Sequence, residues 1–139
     1  ISNPLKVHFN NDIQELIKLQ HILELYCAHH NINTTFLNEI NLVLEELVSN
    51  IIFYGYDDHD DHIIYVLFNK SNDHIIITIE DDGKPFNPLQ DAPTIDLTAD
   101  IDARPVGGLG IHIVKKMVKS IVYNRKNNIN ILTIRKELS

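Results

Sequence analysis

An α+β fold, with one mixed and mostly antiparallel sheet covered on one face by helices, is what this sequence predicts, and three observations predict it. Four β-rich runs fall in two adjacent pairs, residues 62–69 with 74–80 and residues 121–126 with 129–136, each joined by a few polar residues as in a hairpin. Three runs with helical apolar spacing lie before and between those pairs, so the helices can gather on one side of the strands. No linker, repeat or low-complexity tract divides the 139 residues, a length that suits one domain over 1–139 with a two-layer core.

Each element has its own signal. Leu5-Lys6-Val7-His8-Phe9 alternates as a strand does. Asp12-x-x-Glu15 reads as a capping box that opens a helix with Ile13, Leu16, Ile17, Leu23 and Cys27 on its apolar stripe, and His29-His30-Asn31 ends it. A second helix begins near Thr34 and Thr35. Its residues Ile40, Val43, Leu44, Leu47, Val48 and Ile51 follow the i, i+3, i+4, i+7 rule, and Gly55 stops it before an acidic turn over residues 56–61. The first hairpin turns over Lys70-Ser71-Asn72-Asp73. Residues 84–106 lose all periodicity and carry Pro85, Pro88, Pro93 and Pro105; a connection this long in a small domain reads as a functional segment such as a lid, or else as disorder. Gly107-Gly108-Leu109-Gly110 then leads into a helix from Ile111, and Asn127-Asn128, both tolerant of the left-handed region, turn the last hairpin.

Composition excludes several functions. A net charge of −7 argues against nucleic acid or an anionic membrane as a direct partner, since both demand clustered Lys and Arg. The single Cys27 cannot form an internal disulfide, which suits a reducing compartment. No run reaches membrane-spanning length and the first residues do not read as a signal peptide, so a cytoplasmic protein is expected. The eight histidines lack the Cys partners and spacing of a transition-metal site.

The chemistry gathers in four places. At about 100° per residue, Glu46 and Asn50 stand one turn apart on the flank of the second helix, where a carboxylate and an amide can reach one ligand. Asp81 ends a strand within Glu80-Asp81-Asp82-Gly83; an acid there can accept a hydrogen bond from an exocyclic amine, and Gly83 lets the chain turn against a flat base. Gly107, Gly108, Leu109 and Gly110 precede a helix whose first N–H groups and positive dipole end favour an anion, most often phosphate. Thr133, in the last strand, offers a hydroxyl to the same base edge.

Glu46-x-x-x-Asn50, Asp81-x-Gly83, Gly108-x-Gly110 and a late-strand Thr133, in this order, resemble the N, G1 and G2 boxes of the GHKL nucleotide-binding superfamily. Asn50-Ile51-Ile52-Phe53-Tyr54-Gly55-Tyr56, Asp81-Asp82-Gly83-Lys84-Pro85-Phe86-Asn87-Pro88 and Arg104-Pro105-Val106-Gly107-Gly108-Leu109-Gly110-Ile111-His112 are similar to the corresponding stretches of RsbW-type anti-sigma factor serine kinases. The resemblance implies a Bergerat-type α/β sandwich that binds ATP with Mg²⁺. It implies that Asp81 contacts the adenine amino group with Gly83 and Thr133 beside it, that Asn50 holds the metal, and that Gly108 and Gly110 underlie the phosphates. Glu46 becomes the general base, and Arg104 lies near the γ-phosphate. It further implies an anti-sigma factor antagonist of the STAS type as phosphate acceptor, a sigma factor as a second partner, and a homodimer. An ATP-regulated binding protein without transfer is the alternative. Pro85 departs from the wider superfamily, which has a glycine there, and stiffens the start of the lid.

Overall fold

A computed structural model of the chain describes residues 2–91 and 108–139. The elements are β1 (Leu5–Asn10), α1 (Glu15–His29), α2 (Thr34–Tyr54), β2 (Ile63–Lys70), β3 (His74–Asp81), α3 (Pro88–Asp91), α4 (Gly108–Met117), β4 (Ser120–Lys126) and β5 (Ile129–Glu137). The strands form one sheet in the order β1-β2-β3-β5-β4. All its pairings are antiparallel, so the parallel component allowed by a mixed sheet does not occur among the described residues.

Period-two alternation sets which face is buried. Ile75, Ile77 and Ile79 of β3, Ile64, Val66 and Phe68 of β2, and Leu132 and Ile134 of β5 point to one side and form a single core with α1, α2 and α4. The six apolar residues expected on α2 are all buried, and the Asn33 carboxamide oxygen caps that helix by accepting from the Phe36 N–H at 2.9 Å. The final hairpin turns through Asn127 (φ 53°) and Asn128 (φ 63°), the left-handed pair that matches strand twist. Lys136, buried at the core parity of β5, donates through Nζ to Glu39 of α2 and, at 2.6 Å, to the Met117 carbonyl that ends α4. One ammonium thereby joins the sheet, α2 and the tail of α4.

Three expectations need correction. Asp12 does not cap α1: the helix starts at Glu15, Gln14 is its cap residue without a side-chain bond, and Asp12 instead closes the preceding turn through the Gln14 and Glu15 N–H groups. The buried stripe of α1 is Leu19, Leu23, Tyr26 and Cys27, while Ile13 and Ile17 stay 40% and 64% exposed. Tyr26 is buried in their place: its ring packs on Phe68, and its hydroxyl reaches out to the exposed Asn3, donating to Oδ1 at 2.7 Å. Finally, Gly108 and Gly110 belong to the first turn of α4 rather than to a loop before it. Of the expected lid over 84–106, residues 84–91 are described and carry the short α3; the remainder lies outside the described residues.

Candidate functional site

Two helices place the first cluster. Asn50 is 1% exposed on the margin of α2, one turn from the half-buried Glu46, and its Nδ2 donates to Glu46 Oε1 at 3.3 Å. The Glu46 carboxylate lies against Gly110 in the first turn of α4, so that a Cβ at Gly110 would stand 2.7 Å from Oε1 and closer still to Cδ and Oε2. Gly110 is therefore the opening that admits the carboxylate to the positive end of α4. Burial pushes the Glu46 carboxyl up from its ordinary value; the Asn50 bond opposes this and the neighbouring Glu45 reinforces it. The other side of Glu46 lines a groove between α1 and α2 whose walls carry the exposed Ile13, Ile17, Leu42 and Phe53.

The second cluster sits where β3 ends and β5 begins. Asp81 faces the core, 4% exposed, and its Oδ1 accepts from the Gly83 N–H at 2.9 Å and from Asn130 Nδ2 at 3.0 Å. Asn130, which pairs with Asp81 across the strands, also donates to the Lys84 carbonyl, and its Oδ1 accepts from Tyr123 and from Arg125 Nη1. Arg125 further donates to the Gly83 carbonyl at 3.0 Å. Burial pushes the Asp81 carboxyl up, while Asn130 and the Gly83 amide hold it toward the charged, accepting form. The bonds to Asp81 among the described residues all fall on Oδ1, which leaves Oδ2 as its acceptor for a ligand donor. Gly83 packs directly on the Gly55 carbonyl, where a side chain would have no room, and the Lys84 N–H donates to that carbonyl at 2.9 Å. The Tyr56 hydroxyl nearby is buried without a hydrogen-bond partner among the described residues, and burial with Asp81, Asp82 and Asp58 keeps it protonated.

The expected residues therefore divide. Glu46, Asn50 and Gly110 come together, and Asp81 and Gly83 form the turn foreseen for them. Gly108 and Leu109 stand in the first turn of α4. Arg104 and Gly107 lie outside the described residues. Thr133 does not join the site: it pairs with Thr78 on the sheet face opposite Leu132, Ile134 and Asp81. Its place beside Asp81 is taken by Asn130, supported by Arg125 and Tyr123, and these three were missed. The signal for Asn130 was present, since it shares the parity of Leu132 and Ile134. As for ions, the described residues contain no group of three or more His, Cys, Asp or Glu arranged around a metal. A Mg²⁺ held by one amide oxygen and a ligand's phosphates requires none, and the Asn50 Oδ1 suits that role.

Comparisons with known proteins bear on the family and the fold. Residues 9–136 match the histidine kinase-like ATPase domain family. The anti-sigma F factor of Clostridium perfringens (strain SM101 / Type A) is 25% identical over 104 residues, 74% of each chain. The anti-sigma F factor of Oceanobacillus iheyensis is 29% identical over 85 residues, 61% of this chain and 58% of that protein. The structure of the RsbU and RsbW domains of Rv1364c from Mycobacterium tuberculosis shares the fold, with a TM-score of 0.67 and 12% identity over 99% of this chain and 33% of that one.

Proposed function

The chain belongs to the histidine kinase-like ATPase domain family, and from that premise we propose that it is an anti-sigma factor that transfers the γ-phosphoryl group of Mg·ATP to a serine of an antagonist protein. The observation that carries the reading is the Glu46 carboxylate held between the first turn of α4 and an open apolar groove, with Asn50 beside it. The names of the anti-sigma F relatives support the partner class.

In this reading Asp81 Oδ2 accepts from the adenine amino group, and Asn130 and Gly83 fix the carboxylate by occupying Oδ1. The α4 N-terminus and its glycines face the phosphates. Asn50 Oδ1 would hold a Mg²⁺, which would supply charge neutralisation on the phosphoryl oxygens. Glu46 takes the proton from the serine hydroxyl as its oxygen bonds to the γ-phosphorus and the bond to the β-phosphate oxygen breaks, leaving ADP. Burial raises its basicity, which favours uptake of the proton. The acceptor approaches along the groove walled by Ile17, Leu42 and Phe53, which Glu46 also lines.

The test is incubation with Mg·ATP and the candidate antagonist, with phosphoserine read by mass spectrometry. Wild type should transfer and Glu46→Ala should bind ATP without transferring. Tight ATP binding with no transfer by wild type favours the alternative, a nucleotide-gated binding protein; no heat on titration with Mg·ATP defeats both.

A further inference from the structure

A neutral imidazole has one N–H and one lone pair, and a carboxylate only accepts. Both ring nitrogens of His62 face carboxylate oxygens: Nε2 lies 2.7 Å from Asp58 Oδ1, and Nδ1 lies 3.1 Å from Asp82 Oδ1. Both contacts are hydrogen bonds only when the ring carries two protons. The ring also stacks on Tyr56, with centroids 4.3 Å apart and planes 19° from parallel, a contact that favours a cation. The ring is 16% exposed, whereas the Asp58 and Asp82 side chains are half exposed.

The two carboxylates belong to different segments. Asp58 follows α2 within the acidic run Asp57, Asp58, Asp60 and Asp61; Asp82 follows Asp81 in the turn that begins the adenine end of the site. These segments meet through the Gly83 contact and the Lys84 N–H bond to Gly55, and the exposed Lys84–Asp57 ion pair adds little. Asp58 and Asp82 are the charges that act on the ring, Asp61 and Glu80 line the same hollow, and His59 stands close to Asp58. Tyr56, held protonated, faces it uncharged. Without the cation, the two acidic segments repel across the joint that sets Gly83 and Asp81.

We propose that doubly protonated His62 is a positioning residue for nucleotide binding: it staples the segment after α2 to the Asp81–Gly83 turn, and the affinity for Mg·ATP falls as the ring loses its second proton. This rests on the reading of Asp81 as the adenine contact.

The pH window follows from the environment. The Asp58 bond raises the His62 pKa above its ordinary 6.5; burial opposes it, and the Asp82 charge restores the upward direction. The staple is complete below pH 6.5 and is lost as pH rises through the higher folded value. The experiment is calorimetric titration with Mg·ATP from pH 6.0 to 8.5 for wild type, His62→Gln and His62→Arg, with thermal unfolding at each pH. Comparison between variants cancels the titration of ATP itself. Wild-type affinity should fall roughly three- to tenfold relative to His62→Gln across the range, a factor of ten corresponding to one pKa unit. His62→Arg, a permanent cation with two or more N–H groups, should hold its affinity at pH 8.5. Parallel profiles for wild type and His62→Gln, or an unfolding temperature that moves while affinity does not, overturn the proposal and leave ATP binding standing. Absence of binding by wild type at pH 6.0 overturns both.

Discussion

Replacing Gly110 by Ala separates stability from activity, and the structure supplies the magnitudes. A Cβ there would stand 2.7 Å from Glu46 Oε1 and closer to Cδ, whereas ordinary contact begins at 3.4 Å. Neither backbone can yield easily, because Leu47 and Val48 anchor α2 in the core and Ile111 and Val114 anchor α4. The Glu46 side chain is the part that moves, by something near an ångström, into a strained or displaced rotamer costing about 0.5–1.5 kcal/mol. Alanine in place of glycine returns up to about 1 kcal/mol of helix propensity. The two nearly cancel, so Gly110→Ala should unfold within a few degrees of wild type. Phosphoryl transfer, in contrast, should fall about 100-fold, the usual cost of a base displaced by an ångström. The cause is isolated by a double-mutant cycle. In a Glu46→Ala background the obstruction is gone, so adding Gly110→Ala should stabilise by about 1 kcal/mol, or roughly 3–6 °C for a domain of this size. It should also leave the residual transfer rate unchanged. Thermal unfolding and single-turnover transfer measure both axes. Transfer by Gly110→Ala within threefold of wild type, or additive stability effects, would refute the contact between Glu46 and α4 as the organiser of the site.

Asn130→Ala leaves Asp81 Oδ1, the Tyr123 hydroxyl and Arg125 each short of a partner; urea unfolding should register a loss of about 1–3 kcal/mol, and Mg·ATP affinity should drop roughly tenfold. Thr133→Val, on the opposite sheet face, should change stability by no more than about 0.5 kcal/mol and leave affinity as it was, and equal losses from both variants would contradict the assignment of faces. Lys136→Met strips Glu39 and the Met117 carbonyl of their shared donor and should cost about 1–2 kcal/mol, detectable as a lower urea midpoint; an unchanged midpoint would reduce the buried ammonium to filler. Burial pushes the Cys27 thiol up to about 11, so at pH 8 iodoacetamide should label it only as fast as the whole domain unfolds, and labelling within minutes under native conditions would show that α1 opens on its own.

How far the sequence could be read depended on how many independent constraints fixed each residue. α2 was legible residue by residue, because six apolar positions at helical spacing determine its phase and thereby place Glu46 and Asn50 on the margin. α1 was not, because its apolar residues outnumber the positions the sheet can cover: Ile13, Leu16, Ile17, Leu23 and Cys27 make a plausible stripe until Tyr26 takes the interior, its ring on Phe68 and its hydroxyl bonded to Asn3. No local pattern encodes that distant partner. Thr133 fits the site by type alone, as a hydroxyl in the last strand. The alternation around it, with Leu132 and Ile134 inward, already put it on the wrong side and Asn130 on the right one. The supporting roles of Arg125 and Tyr123 needed the cross-strand register, which a sequence supplies only after the pairing of β4 with β5 is known.

Among the described residues, the buried polar side chains are Asn50, Asp81, Asn130 and Lys136. Each costs stability unless its hydrogen bonds are met, so their placement is informative. Three of them gather at one end of the sandwich: Asn50 near the end of α2, Asp81 at the end of β3, and Asn130 opposite it at the start of β5. The Gly55 carbonyl binds the last turn of α2 to Lys84 at this same end. Lys136 stands near the far end of β5, where it holds the tail of α4. The fold thus spends its buried polarity on one edge and on the far end of the one helix whose N-terminus meets Glu46. A sandwich stabilised only by its core would have filled these positions with aliphatic residues, as it did at Ile75, Ile77, Ile79, Leu132 and Ile134 of the same strands.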